Sequence, residues 1–179
     1  MIQNYSIWKV LRVFFDDPNP KEGFTIRWIS TEIGLAPTSV KLHLDELTKE
    51  KGWGYPLAMR SKGRSYPTYW ANQASELFRF YKRMDIIFRL EESGILEKIM
   101  EEHGPKAIVL FGSASRGEDV KGSDIDLFLH DVKGEPEIQD FEHLKRNIQY
   151  HLHPFNKIEK ELRNNIINGI RLRGYLKVF

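Results

Sequence analysis

Between Ala107 and Leu129 the chain carries two apolar runs, Ala107 to Phe111 and Ile125 to Leu129. They are joined by Gly112-Ser113-Ala114-Ser115-Arg116-Gly117-Glu118-Asp119-Val120-Lys121-Gly122-Ser123-Asp124. Short apolar runs bounded by glycines and serines read as buried strands. The pattern predicts a strand, a Gly-Ser turn, a short linker and a second strand. Residues two apart on a strand share a face, so Asp124 and Asp126 are expected side by side at the start of the second strand. Carboxylates that close oppose each other's ionisation unless a cation lies between them. Hard oxygen ligands in that arrangement suit Mg²⁺ or Mn²⁺, which keep several waters and bind substrate phosphates. A Gly-Ser turn nearby offers backbone N–H groups and a hydroxyl to such phosphates. The combination points to metal-assisted chemistry on a nucleoside triphosphate.

Taken together, Gly112, Ser113, Arg116, Gly117, Ser123, Asp124, Asp126 and Leu127 resemble the catalytic motif of the nucleotidyltransferase superfamily that includes DNA polymerase β. Within it they are similar to the small, minimal nucleotidyltransferases of prokaryotes. A lone Gly-Ser or Asp-x-Asp is weak; the compound motif, flanked by apolar strands, is specific. The resemblance implies that Asp124 and Asp126 are the catalytic pair and hold Mg²⁺ (or Mn²⁺). It further implies that Gly112, Ser113, Arg116 and Ser123 form the nucleotide-binding set, with Arg116 bracing the loop by a salt bridge. Active members of the superfamily carry a third acid on the next core strand. Here that strand, Ile148-Gln149-Tyr150-His151-Leu152-His153, contains neither Asp nor Glu. The register puts Gln149 in the acid's place and His151 next along the same face. Glu118, Asp119 and Asp131 are the acids near in sequence that could substitute. His151 and His153 could form a metal pair, but a polar strand face is the simpler account of them.

Toward the N-terminus, Ile7, Val10, Leu11, Phe14 and Phe15 recur at helical spacing, predicting an amphipathic helix over roughly 5–15. Asp16-Asp17-Pro18-Asn19-Pro20 ends it, and 24–26 is expected as a short strand. A helix over 27–33, a turn at Gly34 and a helix opened by Pro37 with Val40, Leu44 and Leu47 on one face follow. This is the helix-turn-helix arrangement. Leu57 to Arg60 and Ser65 to Trp70 read as a hairpin with the basic tip Ser61-Lys62-Gly63-Arg64. Three helices and such a hairpin look like a winged helix. Thr38, Ser39, Lys41 and His43 are then candidates to face a major groove of double-stranded DNA, and Arg60, Lys62 and Arg64 to meet phosphates or the minor groove. The other reading is a protein-interaction or dimerisation module, since fold does not settle function. Apolar positions from Leu77 to Ile99 predict two helices separated at Ser93-Gly94. Beyond the motif, helices are expected over 138–146 and 156–170, with a strand over 148–155.

The fold class expected is therefore α/β in two domains: a winged helix-turn-helix domain over 1–73, a helical linker over 74–103 and a nucleotidyltransferase-like domain over 104–179, a mixed sheet with flanking helices. The two-domain build resembles a group of archaeal proteins. Hydrophobic residues make up 41% and charged residues 29%, as in ordinary globular chains. No apolar run approaches a membrane span, no secretory leader is expected, and without cysteine thiolate metal sites and disulfides are excluded. A cytoplasmic location is the default expectation. Net charge is only +2, but Arg60, Lys62, Arg64, Arg79, Lys82 and Arg83 stand against Glu76 alone between residues 53 and 83, a distribution suited to nucleic acid or phosphates. Two functions stay open. One is a Mg²⁺-dependent transferase moving a nucleotidyl group from a nucleoside triphosphate to an acceptor hydroxyl. The other is a DNA-binding regulator or antitoxin whose nucleotidyltransferase-like half binds nucleotide or a partner without turnover. Expected partners are a nucleoside triphosphate, double-stranded DNA, a helical toxin protein (implied by the resemblance) and a second copy of the chain.

Overall fold

A computed structural model describes residues 5–49, 56–61, 66–134, 136, 140–141 and 146–177. The chain divides into two compact units, Met1–Lys82 and Arg83–Phe179. Among the described residues no helix is long and apolar enough to cross a membrane.

The first unit opens with α1 (Ser6–Asp16), whose Val10, Leu11, Val13, Phe14 and Phe15 are buried. That spacing lays a continuous apolar stripe along one side of a 3.6-residue helix. After β1 (Phe24–Thr25), the Thr25 hydroxyl accepts from the Trp28 backbone N–H at 3.2 Å and caps α2 (Ile26–Ile33). A side-chain oxygen there satisfies one of the N–H groups that a first turn leaves unpaired. Gly34, at φ 66°, ends α2 in the left-handed conformation that costs glycine least. Pro37 starts α3 (Pro37–Leu47), which buries Val40, Leu44 and Leu47. Strands β2 (Ala58–Arg60) and β3 (Thr68–Ala71) complete an antiparallel sheet in the order β1-β3-β2. One core of α1, α2, α3 and strand residues, including Ile29 and Tyr69, closes the unit. The expected hairpin strands are thus present in shortened form, while Lys62, Gly63 and Arg64 of its tip, and Ser65, lie outside the described residues.

Helix α4 (Glu76–Glu92) contains the division between the units, and α5 (Ile95–His103) follows Gly94. Residues 74–103, set apart in sequence as a linker, contribute to both cores: Phe78 to the first, and Leu90, Ile95, Leu96 and Ile99 to the second.

The second unit is built on five strands: β4 (Ala107–Phe111), β5 (Ile125–His130), β6 (Asp140–Phe141), β7 (Arg146–His151) and β8 (Ile170–Gly174), in the order β6-β7-β5-β4-β8. Among the described residues only β5 and β7 run parallel. Because strand side chains alternate between faces, the β4–β5 core sorts into two sets. Ile108, Leu110, Ile125, Leu127 and Leu129 pack with Leu90, Ile95, Leu96 and Ile99 of α4 and α5. Val109, Phe111 and Phe128 pack with Phe155, Ile158 and Ile166. Asp126 shares the second face, and that parity fixes where its carboxylate stands.

Three expectations for this unit are corrected. Where the span expected as a helix over 138–146 is described, Asp140–Phe141 and Arg146–Asn147 instead pair as antiparallel strands. The spacing of Phe141 and Leu144 allowed a helix, but pairing with the exposed edge of β7 decides the conformation, as tertiary context commonly does for short segments. The strand over 148–155 instead spans Arg146–His151 and stops before Pro154, leaving His153 off the sheet. The helix over 156–170 is reduced to a 3₁₀ turn at Phe155–Lys157 and α7 (Lys160–Ile167). Ile170 belongs to β8, which adds to the free edge of β4. Gly169 makes the reversal possible, since a Cβ there would stand 2.6 Å from the Leu110 carbonyl oxygen.

Candidate functional site

The Gly-Ser segment is not a bare turn but a five-residue helix, α6 (Gly112–Arg116), springing directly from β4. Its first residue, Gly112, lies at φ 72°, and its α-carbon touches the carboxylate of Asp126 so closely that a Cβ would overlap it. Glycine is required twice here, for the left-handed backbone and for the approach of the acid. Phe111 is the cross-strand partner of Asp126, so the strand pairing itself brings the start of α6 to this carboxylate. First-turn N–H groups of a helix have no intrahelical acceptor, and the Asp126 carboxylate therefore stands beside a positively polarised backbone.

Asp124 is exposed and precedes β5 by one residue, while Asp126 lies within the strand and is half-buried. The strand-start expectation thus holds for Asp126, whereas Asp124 belongs to the incoming loop. Across the parallel pairing, Gln149 is the direct partner of Asp126 and His151 that of Phe128. The neighbour of the acid on the next strand is an amide. The structure adds a contact that sequence reasoning did not foresee. His151 Nε2 lies 3.3 Å from Asp126 Oδ1, within reach to donate when that nitrogen carries the proton. Its ring stands edge-on to Phe111 with centroids 4.8 Å apart.

The loop between α6 and β5 is tied at several points. Arg116 Nε meets Glu118 Oε2 at 2.8 Å on the surface, the brace expected of it. The Glu118 N–H donates to the Ser113 carbonyl at 3.0 Å. Ser123 closes a turn with Val120, its hydroxyl accepting from the Val120 N–H at 3.0 Å and its own N–H donating to the Val120 carbonyl at 3.0 Å. Asp119 is buried and forms an ion pair with Arg146 at the start of β7, the two side chains only 5% and 7% exposed. Asp119 is therefore part of the loop's anchorage. Glu118 is engaged by Arg116, and Asp131 sits past the far end of β5, where Lys106 holds its carboxyl below the usual range. Glu118 and Asp119 thus serve the loop, and Asp131 follows the last residue of β5, five residues beyond Asp126. Among the described residues, no three His, Asp or Glu side chains are grouped to hold a metal ion.

On the first unit, Thr38 and Lys41 are exposed on α3 and Ser39 is half-buried. His43 turns inward, its Nε2 2.7 Å from the Ser6 hydroxyl, while Leu42, which the sequence reading passed over, is 69% exposed. Arg60 is exposed on β2. Lys62 and Arg64 lie outside the described residues.

With this geometry in place, comparison with known proteins gives one match. The family model of the nucleotidyltransferase domain covers residues 93–172, which include α5, both apolar strands, the compound motif and β7. Neither the curated proteins nor the solved structures yielded a match. The match supports nucleotidyl transfer as the general chemistry of the second unit, and domains of this family generally use divalent metals.

Proposed function

We propose that the second unit transfers a nucleotidyl group from a nucleoside triphosphate to an acceptor hydroxyl in a Mg²⁺- or Mn²⁺-dependent reaction. The observation that carries this reading is the packing of the Asp126 carboxylate on the side-chain-free Gly112 at the start of α6, with Asp124 one residue ahead of β5. Two hard carboxylate donors suit a divalent cation, and the first-turn N–H groups of α6, which lack intrahelical acceptors, offer donors to phosphate oxygens. Asp124 and Asp126 would hold the metal; when bound, it neutralises charge on the triphosphate. Gly112 and Ser113 would cradle the phosphates, with Ser123 and Arg116 shaping the loop around them. The acceptor oxygen forms a bond to the α-phosphorus, the α–β phosphoanhydride bond breaks, pyrophosphate leaves, and the hydroxyl proton passes to solvent. Labelled nucleotides with Mg²⁺ or Mn²⁺ and candidate acceptors, the chain itself and a co-purifying protein included, test this directly. Label incorporation is expected and should vanish in Asp124→Ala plus Asp126→Ala; incorporation that survives the double change refutes the assignment.

A specific observation favours a second reading. Gln149 occupies the position beside Asp126 where a third acid would complete metal binding, so the unit could bind nucleotide or a partner, such as a small helical toxin protein, without turnover. Calorimetry with ATP and Mg²⁺ separates the two: heat of binding with no product favours the regulator or antitoxin.

For the first unit we propose a winged helix that binds double-stranded DNA. Support comes from the order α1-β1-α2-α3-β2-β3, the β1-β3-β2 sheet, exposed Thr38 and Lys41 on α3, and exposed Arg60 on β2. By sequence, Lys62 and Arg64 extend the basic edge. His43, bonded to Ser6, is the weakest of the candidates. Lys41→Glu plus Arg60→Glu should weaken gel-shift binding to a random duplex. The slope of log K against log salt should flatten by about 0.9 for each DNA phosphate that the variant no longer neutralises. An unchanged slope places DNA elsewhere.

A further inference from the structure

Asp126 and His130 lie on the same face of β5, separated by the fully buried Phe128. Four residues of strand put them about 13 Å apart. At the His130 end the second unit contains a cavity of about 530 Å³ lined by His130, Asp131, Val132, Leu152, Pro154, Phe155, Asn156 and Lys177. That size falls within the range of pockets that hold small ligands, roughly 300–1,000 Å³. No member of its lining belongs to the compound motif.

The chemistry of the lining is specific. Phe155 and His130 stand nearly perpendicular, their centroids 6.5 Å apart at 82°, and Val132, Leu152 and Pro154 add apolar wall. Rings set at right angles offer a flat guest one face and one edge, the two geometries aromatic pairs prefer. The His130 Nδ1 is buried without a hydrogen-bond partner among the described residues. With Nδ1 enclosed, Nε2 is the ring nitrogen left to meet a ligand, donating when it carries the proton. The Asp131 carboxylate is engaged by Lys106, which leaves the Lys177 ammonium to set the sign of the cavity. The Asn156 amide can both donate and accept.

We infer that this cavity is a binding site, separate from Asp124 and Asp126, for a small heteroaromatic ring bearing one anionic group. The ring lies against Phe155 and His130, the anion meets Lys177 and the His130 Nε2–H, and Asn156 reads the ring edge. Two sources carry that chemistry, a nucleoside monophosphate and a free heteroaromatic acid.

The test uses the full chain carrying Asp124→Ala and Asp126→Ala, in EDTA, so that no metal-dependent binding at the phosphate-binding motif contributes. Adenosine 5′-monophosphate, nicotinate and uncharged adenosine are titrated by calorimetry and by saturation-transfer NMR. Binding of the monophosphate or of nicotinate is expected, and whichever binds identifies the source. His130→Phe, which keeps a ring and removes the donor, and Lys177→Glu, on an exposed side chain, should each weaken binding about tenfold, the loss of one charge-assisted hydrogen bond. Asn156→Trp, also at an exposed position, should fill the cavity and abolish binding. The inference is overturned if neither anion binds, if adenosine binds as tightly as its monophosphate, or if binding is unchanged in all three variants.

Discussion

Gly112→Ala isolates the contact on which the functional reading rests. The backbone at Gly112 is at φ 72°, where a residue with a Cβ is disfavoured by roughly 1–2 kcal/mol. A second cost arises because the new Cβ would overlap the Asp126 carboxylate. The carboxylate can escape only by leaving its rotamer and moving off His151, at about 0.5–1.5 kcal/mol. The sum is about 1.5–3.5 kcal/mol, and its two parts can be separated. In an Asp126→Ala background the overlap disappears, so Gly112→Ala should then cost only the backbone part. The coupling energy of the cycle should therefore be about 0.5–1.5 kcal/mol. All four tryptophans lie in the first 70 residues, so their fluorescence does not read this unit. Native-state hydrogen exchange of the β4 and β5 amides does. The single variant should also lose metal-dependent nucleotide binding by at least about tenfold, as expected when a ligand is displaced from its orientation. Strictly additive stabilities, together with unchanged nucleotide binding, would refute the packing of Asp126 on Gly112 as the basis of the site.

Three further outcomes follow from the same geometry. Asp119→Ala breaks a buried ion pair with Arg146 and should destabilise the second unit by about 3–5 kcal/mol, read as a fall in its melting temperature; a change under about 1 kcal/mol would mean the pair is effectively solvated. Burial pushes the Tyr150 hydroxyl up to about 12 from 10.0; the folded state favours the protonated phenol, so this contribution is complete below pH 10 and lost as pH rises through 12, and an ultraviolet difference titration against Tyr150→Phe should show a late-titrating phenol. Gln149→Asp should tighten Mg²⁺-dependent nucleotide binding about tenfold and raise any transfer rate, while Asp124→Ala plus Gln149→Asp stays inactive; an unaltered affinity in the single variant would place the third ligand away from β7.

Strong periodicity made much of the fold legible. The stripe of α1, the proline that opens α3 and the Ser93-Gly94 break before α5 each rest on local chemistry, and the elements stand where that chemistry puts them. The Asp126–Gln149 pairing was also legible, because a parallel strand with alternating faces leaves few registers that bury Ile148. Reading failed where partners distant in sequence decide. Phe141 and Leu144 are spaced for a helix, yet Asp140–Phe141 pairs with β7. A signal for β8 was present in the alternation Ile170-Arg171-Leu172-Arg173 after Gly169, but the helical face of Ile158, Leu162 and Ile166 obscured it. Nothing in the spacing announced the Asp119–Arg146 pair, whose members are far apart in the chain, nor the contact of His151 with Asp126.

The contacts around Asp126 also bear on how firmly each of the two acids is held. Here Asp126 is held from three directions: the α6 start at Gly112 below it, His151 at 3.3 Å, and strand pairing through Phe111 and Gln149. Asp124, exposed at the end of a loop closed by Ser123 and Val120 and anchored through Asp119, is held less directly. The two acids are thus unequal. Asp126 is the preorganised member, fixed by the sheet, and Asp124 is the adjustable one, positioned by the loop. Loosening the Asp119 anchor should therefore disturb the site through Asp124 while leaving the Asp126 contacts in place. The acid's contact on the next strand is the His151 imidazole and its partner in register is the uncharged Gln149, so neither adds a negative charge beside it.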